Sequence, residues 1–151
     1  MARILVFGLM WMTWAMPSAF AANGDDIVGT WVTQGGESNI EISRCQSKFC
    51  GKIVWIKNPH YPQDDARGMA GQTKVDRENP EVALRSRPLM GLTMLDGFVY
   101  AGENTWEDGK IYDPKTGKTY SCRMTLENNQ LNVRGFIGFS LLGRTTVWTR
   151  K

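Results

Sequence analysis

The sequence predicts an all-β fold: an antiparallel up-and-down β-barrel of about eight strands, with one long loop carrying a short helix. Three observations predict it. Runs rich in Val, Ile, Thr, Trp and Tyr recur along the chain, broken by turn residues. Several of the turns are tight, which makes successive strands antiparallel neighbours. The first run holds Gly29-Thr30-Trp31 and the last holds Arg144 and Trp148, so a Gly-x-Trp and an Arg/Trp pair suggest terminal strands that meet. A sheet whose ends meet is closed, and eight strands leave room for side chains or one small ligand. An open sandwich is the alternative architecture.

The strand runs fall at 27–33, 39–44, 52–57, 93–101, 110–113, 118–127, 130–137 and 144–150. Asp113-Pro114-Lys115-Thr116-Gly117 is a turn with a mechanism: Pro114 pre-sets φ and Gly117 takes the positive φ that closes the hairpin. Asn128-Asn129 is a second tight turn, because Asn tolerates the left-handed region. Glu107-Asp108-Gly109 reads as a third. Residues 58–88 break the rhythm with Pro59, Pro62, Pro80, Pro88 and many charges. Within them Asn79-Pro80-Glu81 can start a short helix, with an Asn cap and Pro at the first helical position. So long a connection is usually a lid or a binding loop.

Residues 1–21 read as a Sec-type signal peptide. Arg3 precedes an apolar run over 4–16, Pro17 breaks it, and Ala19-Phe20-Ala21 is a small-x-small cleavage site. The run is short of the roughly 20 residues a bilayer span needs. Cleavage is expected after Ala21, which leaves residues 22–151 as one domain in the periplasm or outside the cell. Loss of Arg3 lowers the formal charge from +3 to +2. A near-neutral chain without a basic block is a poor match to nucleic acid. No second apolar run appears, so no transmembrane segment is expected in the mature chain. Its oligomeric state is not legible.

Cys45 and Cys50 sit between two strand runs, and an oxidising compartment lets such a pair bridge. Their spacing is not a Cys-x-x-Cys redox motif, and with one histidine in the chain no metal site is expected. Cys122 shares a strand face with Tyr120, Met124 and Leu126 and reads as an inert core thiol.

Several blocks in order resemble the bacterial exported family known as domain of unknown function 2147. They include Gly29-Thr30-Trp31, Cys50-Gly51-Lys52-Ile53-Val54, Asp76-Arg77-Glu78-Asn79-Pro80, and Arg85-Ser86-Arg87-Pro88-Leu89-Met90-Gly91. Further on they include Trp106-Glu107-Asp108-Gly109-Lys110-Ile111-Tyr112-Asp113-Pro114 and Leu142-Gly143-Arg144-Thr145 with Trp148-Thr149-Arg150. The resemblance spans about residues 27–150 and implies a lipocalin-like barrel in the periplasm. It implies no reaction, since that family has no established activity to carry over. The Gly-x-Trp and the late Arg are also similar to those of true lipocalins, where the Trp closes one barrel end and the Arg packs across it. By position Trp31 and Arg144 would take those roles, with Trp148 beside them as a structural residue. That would make this end the floor and place any site at the other end, under the 58–88 loop.

Catalytic residues are scarce. His60 lies in a proline-bracketed loop and reads as solvated. Asp64 and Asp65 are adjacent, so on an extended chain they point apart and make a poor acid/base pair. No nucleophile elbow, His-Glu-x-x-His or phosphate-binding glycine loop occurs. The candidate ligand-binding residues are Asp76, Asn79, Arg85, Arg87, Tyr112, Tyr120 and Arg134. In one reading Arg85 or Arg87 grips an anionic head group whose tail enters the barrel. In the other, Asp76 and Asn79 bond the loop backbone while the arginines pin the loop through acids. Arg134 alternates with Leu131 and Val133, so it is an interior anchor if its face turns inward and a surface residue if not.

The function expected is therefore a non-catalytic barrel binding a small apolar or amphipathic molecule, with no cofactor. A scaffold or protein-interaction module with an interior filled by aromatics is the first alternative. A hydrolase or isomerase using the 58–88 loop is the second. An enclosed space below about 300 Å³ would argue against a drug-sized ligand.

Overall fold

A computed structural model describes residues 24–139 and 141–151. The expected signal peptide and its cleavage site lie outside the described residues. Eight strands form a closed barrel in sequence order: β1 (Gly29–Val32), β2 (Ser38–Cys45), β3 (Lys48–Ile56), β4 (Thr93–Gly102), β5 (Thr105–Asp113), β6 (Lys118–Glu127), β7 (Gln130–Phe136) and β8 (Gly143–Arg150). Every neighbouring pair is antiparallel, and β1 meets β8 through Trp31 with Arg150 and Val32 with Thr149. The closed architecture read from the sequence is the one observed. The β1–β8 seam is short, and Gln34 extends it by accepting a hydrogen bond from the Val147 N–H.

The alternation of side chains sets what faces inward. On β7, Leu131 and Val133 are buried; on β6, Cys122 and Met124 are. Arg134, between Val133 and Gly135, is consequently on the outer face.

Three turns deserve comparison with expectation. Asn128 and Asn129 have φ of 48° and 61°, the double left-handed geometry of a two-residue hairpin. Gly117 has φ of 69° and donates to the Asp113 carbonyl. Glu107-Asp108-Gly109 is not a turn. It is a bulge inside β5, where Asp108 takes φ of 59° and the register against β6 shifts between Trp106 and Gly109. Gly109 is needed because a Cβ there would overlap the Phe98 ring. The hairpin turn lies just earlier, at Glu103 and Asn104, with φ of 48° and 55°.

Strand direction divides the barrel into two ends. The β2–β3, β4–β5 and β6–β7 hairpins and the end of β8 lie at the floor, with residues 24–28 laid across it. The β1–β2, β5–β6 and β7–β8 connections and the 57–92 loop lie at the mouth.

The floor is solid. Trp31, Trp106, Phe98, Ile40, Leu95 and Leu131 are all fully buried. The Trp31 indole donates to the Ile27 carbonyl at 2.8 Å and the Trp106 indole to the Gly24 carbonyl at 3.1 Å. The guanidinium that covers Trp31 is that of Arg150, 4.4 Å from the ring, donating to the Val28 and Asp26 carbonyls. This corrects the expectation for Arg144. Arg144 opens β8 opposite Gly135, at the mouth, about 20 Å of strand away from Arg150. Trp148 is buried between the two ends, its indole bonded to Thr146 Oγ1.

Cys45 and Cys50 are joined, with Cα atoms 5.8 Å apart. They sit diagonally across the β2–β3 hairpin, Cys45 opposite Lys48 and Cys50 opposite Ser43. Cys122 is buried inside the barrel, and desolvation pushes its thiol up to about 12.

Candidate functional site

The mouth half of the barrel holds a cavity of about 1310 Å³. Its bottom is Ile53, Val133 and Trp148, which also cap the packed floor. Its walls carry Ile111, Met94 and Tyr120, and its rim carries Lys74, Arg77, Glu78, Lys115 and Arg144. Apolar groups line its depth, while charges of both signs stand at the entrance. A shallower groove of about 480 Å³ lies beside the β5 bulge, between Lys110, Arg123 and Phe139.

The 57–92 loop forms one side of the cavity, and its own structure explains how a segment without strands stays in place. Asp76 is fully buried, with three partners for its carboxylate. The Tyr112 hydroxyl donates to Oδ1 at 2.6 Å; Asn79 Nδ2 and Arg87 Nε donate to Oδ2 at 2.8 and 2.9 Å. The Asp76 N–H donates to the Arg87 carbonyl, so the knot also ties the two ends of this stretch together. Burial, with the Asp76 carboxylate as second cause, pushes the Tyr112 hydroxyl up to about 12. Asn79 Oδ1 accepts from the Glu81 N–H, and Arg85 Nε donates to the Asn79 carbonyl at 2.7 Å. The short helix is a 3-10 turn, Val82–Leu84, starting slightly later than the Asn79-Pro80-Glu81 signal suggests.

A second cluster stands nearer the opening. Arg77 lies 4.1 Å over the Tyr61 ring and donates to Asp65 Oδ1 at 2.9 Å. That bond holds the Asp65 carboxyl below the ordinary carboxylate range. Asp65 also accepts from the Arg67 and Met69 N–H groups, so it caps a turn. Tyr61 is buried, and its hydroxyl exchanges hydrogen bonds with the backbone of Val75. The β5–β6 turn supports the loop from below: a Cβ on Gly117 would overlap the Glu78 carbonyl. Among the described residues no buried side-chain nitrogen or oxygen lacks a partner.

The sequence-derived candidates thus separate into three groups. Tyr112 and Tyr120 line the cavity. Asp76, Asn79, Arg85 and Arg87 come together, but as the device that pins the loop; their polar atoms are turned to one another, and none of the four lines the cavity. Arg134 is on the outside, where it donates to Thr145 Oγ1 and the Leu141 carbonyl. Of the two readings open for Arg134, the surface one holds, because Leu131 and Val133 own the inner face. Arg77 and Lys74, which line the cavity, are not among the sequence-derived candidates. They follow from the loop's path over the mouth, which no local pattern reports. His60 is exposed, bridging to Thr73 through its backbone, and is not among the partners of Asp76.

An eight-stranded up-and-down barrel with a floor closed by Trp and Arg and a cavity at the other end is lipocalin-like. In agreement, the chain is similar to a solved structure described as "Protein HP1028 from the human pathogen Helicobacter pylori belongs to the lipocalin family". The two share 24% identity over 83% of this chain and 82% of that one, with a TM-score of 0.68. At that identity the likeness speaks for the fold. The sequence pattern of the family described as "Uncharacterized protein conserved in bacteria (DUF2147)" matches residues 29–150, and the chain belongs to this family. No curated protein matches the chain.

Proposed function

We propose that this protein is an exported, periplasmic barrel that binds a small apolar or amphipathic molecule in the mouth cavity without catalysis. The observation that carries the reading is the cavity itself. Its volume exceeds the roughly 300–1,000 Å³ of ordinary ligand pockets, and its depth is apolar. An acyl-like tail would lie against Ile53, Val133 and Trp148, and a polar head would remain among Lys74, Arg77 and Arg144 at the rim.

Two measurements test it. Native mass spectrometry of protein isolated from its own cell envelope should show an added mass of lipid size. In vitro, a fluorescent fatty-acid analogue should bind the purified protein, and Met94→Trp should weaken that binding about tenfold by filling the cavity. A bare mass together with no binding of the analogue would sink the reading and leave the scaffold alternative. That alternative draws on the floor, which is packed solid with aromatics.

A further inference from the structure

We infer that the β7–β8 loop is a membrane-docking element that seats the barrel mouth on an anionic lipid surface. The inference rests on the cavity reading and deepens it by naming where an apolar ligand enters.

The loop joins Phe136 to Gly143 at the mouth. Its apolar side chains face water to an unusual degree: Leu141 is 88% exposed, Phe139 81%, Leu142 78% and Ile137 69%. Single exposed apolar residues are ordinary, but four exposed apolar residues within six positions of one loop mark a contact surface. The described residues of the loop are tied to one another and to the barrel. The Leu142 N–H donates to the Phe139 carbonyl, Gly138 takes φ of 69°, and Arg134 holds the Leu141 carbonyl from the barrel wall. A shaped apolar tip on a fixed base suits insertion at the headgroup boundary.

Two further features select a lipid surface over a protein. The first is charge. Of the acids at the mouth, Asp65 pairs with Arg77, Glu78 with Arg67, and Asp113 accepts from its own turn. Arg134 and Arg144 flank the loop on its two strands. Basic residues around an apolar tip are complementary to anionic headgroups. The second is continuity with the cavity. Ile137, Leu141 and Leu142 line its opening as well as facing solvent. With the tip inserted, an apolar molecule would pass between bilayer and cavity without crossing water.

The test is flotation of the mature protein with vesicles of phosphatidylglycerol and phosphatidylcholine, beside vesicles of phosphatidylcholine alone. Fatty-acid-analogue binding is measured in parallel without vesicles. The protein should float with the anionic vesicles, and added salt should reduce the effect. Phe139→Asp and, separately, Leu141→Asp should each lower partitioning by about tenfold or more. Phe139 does not line the mouth cavity, so Phe139→Asp should keep full analogue affinity. Flotation lost in Phe139→Asp with analogue binding intact supports the inference. Analogue binding without any flotation of the wild type overturns it and leaves the cavity reading standing. Flotation without analogue binding supports the surface and overturns the cavity reading. Equal flotation of wild type and both variants overturns it. So does a wild-type dimer in vesicle-free buffer that Phe139→Asp dissociates, since the loop would then be a contact between copies of this chain.

Discussion

At the floor of this barrel the eight strands close on Trp31, Trp106 and Phe98, all fully buried. At the mouth the strands, the 57–92 loop and the β7–β8 loop border a half-open cavity of about 1310 Å³. The difference arises from what is laid across each end. Residues 24–28 are short, and they sink Ile27 into the core while offering the Gly24 and Ile27 carbonyls to two indoles. The 57–92 loop is long, and it satisfies its polar groups mostly within itself. It therefore stands beside the interior without filling it. One end of the barrel is stabilised by apolar contact, and the other by a polar knot around Asp76. The comparison teaches that stability and site are held apart in this fold, so they should respond to different substitutions.

The largest expected effect is at the floor. Trp106→Ala removes a fully buried indole and its bond to the Gly24 carbonyl, and should cost about 3–5 kcal/mol. Trp148→Ala should cost visibly less, because one face of that indole already borders the cavity. Denaturant unfolding of the two variants checks this. Equal losses would break the division between a packed and an open half.

Next comes the knot. Asp76→Ala should cost about 2–3 kcal/mol, since it leaves Tyr112, Asn79 and Arg87 without their common acceptor. Arg87 is 39% exposed, which lets water take up part of the loss. The effect should be local. Hydrogen exchange should quicken across residues 57–92 and remain slow in β2, β6 and β7. Uniform quickening would show that the loop supports the whole barrel.

The third prediction concerns two arginines on one strand. Arg150→Ala should cost about 1–2 kcal/mol through its lost stacking on Trp31 and two carbonyl contacts. Arg144→Ala should leave stability within about 0.5 kcal/mol, as expected of an exposed residue. It should instead alter the affinity of an anionic ligand at the rim. Thermal melts of both variants decide the matter.

This pair also shows how far the sequence could be read. Strand count, the disulfide and two of three turns are legible because each rests on local composition or spacing, and closure is legible from the match of the terminal strands. Trp31 lies at the floor, as the resemblance to lipocalins implies. Arg144 and Arg150 stand near opposite ends of β8, and only the register of β8 against β1 says which meets Trp31. The β5 bulge was read as a turn because Asp-Gly serves both purposes, and the deciding contact of Gly109 with Phe98 is 11 residues away in the chain. The cluster at Asp76 was recognised as important, but its direction was not. Whether its arginines face a ligand or their own loop depends on the partner Tyr112, 36 residues away.

The last effect, confined to alkaline pH and absent at neutrality, is a pH dependence that separates the same two regions. Tyr112 belongs to the mouth knot, and its hydroxyl is raised from 10.0 to about 12. Cys122 belongs to the barrel interior, and its thiol is raised from 9.0 to about 12. In both cases the unfolded chain loses its proton first as pH rises, so the folded state binds more protons in the interval. Stability then falls with rising pH. Each contribution is fully present below the unfolded value and is lost toward about pH 12. The Cys122 loss begins near pH 9 and the Tyr112 loss near pH 10. Tyr112→Phe should flatten the decline above pH 10 and leave the part between 9 and 10 unchanged. Cys122→Ala should remove the decline between 9 and 10 and also lessen it above 10, because the thiol's window runs on to about pH 12. Urea unfolding across this range reads both slopes, and hydrogen exchange in the same range reports where the decline acts. If Tyr112 carries its share through the knot, the exchange that quickens above pH 10 will be in the loop, ahead of the floor.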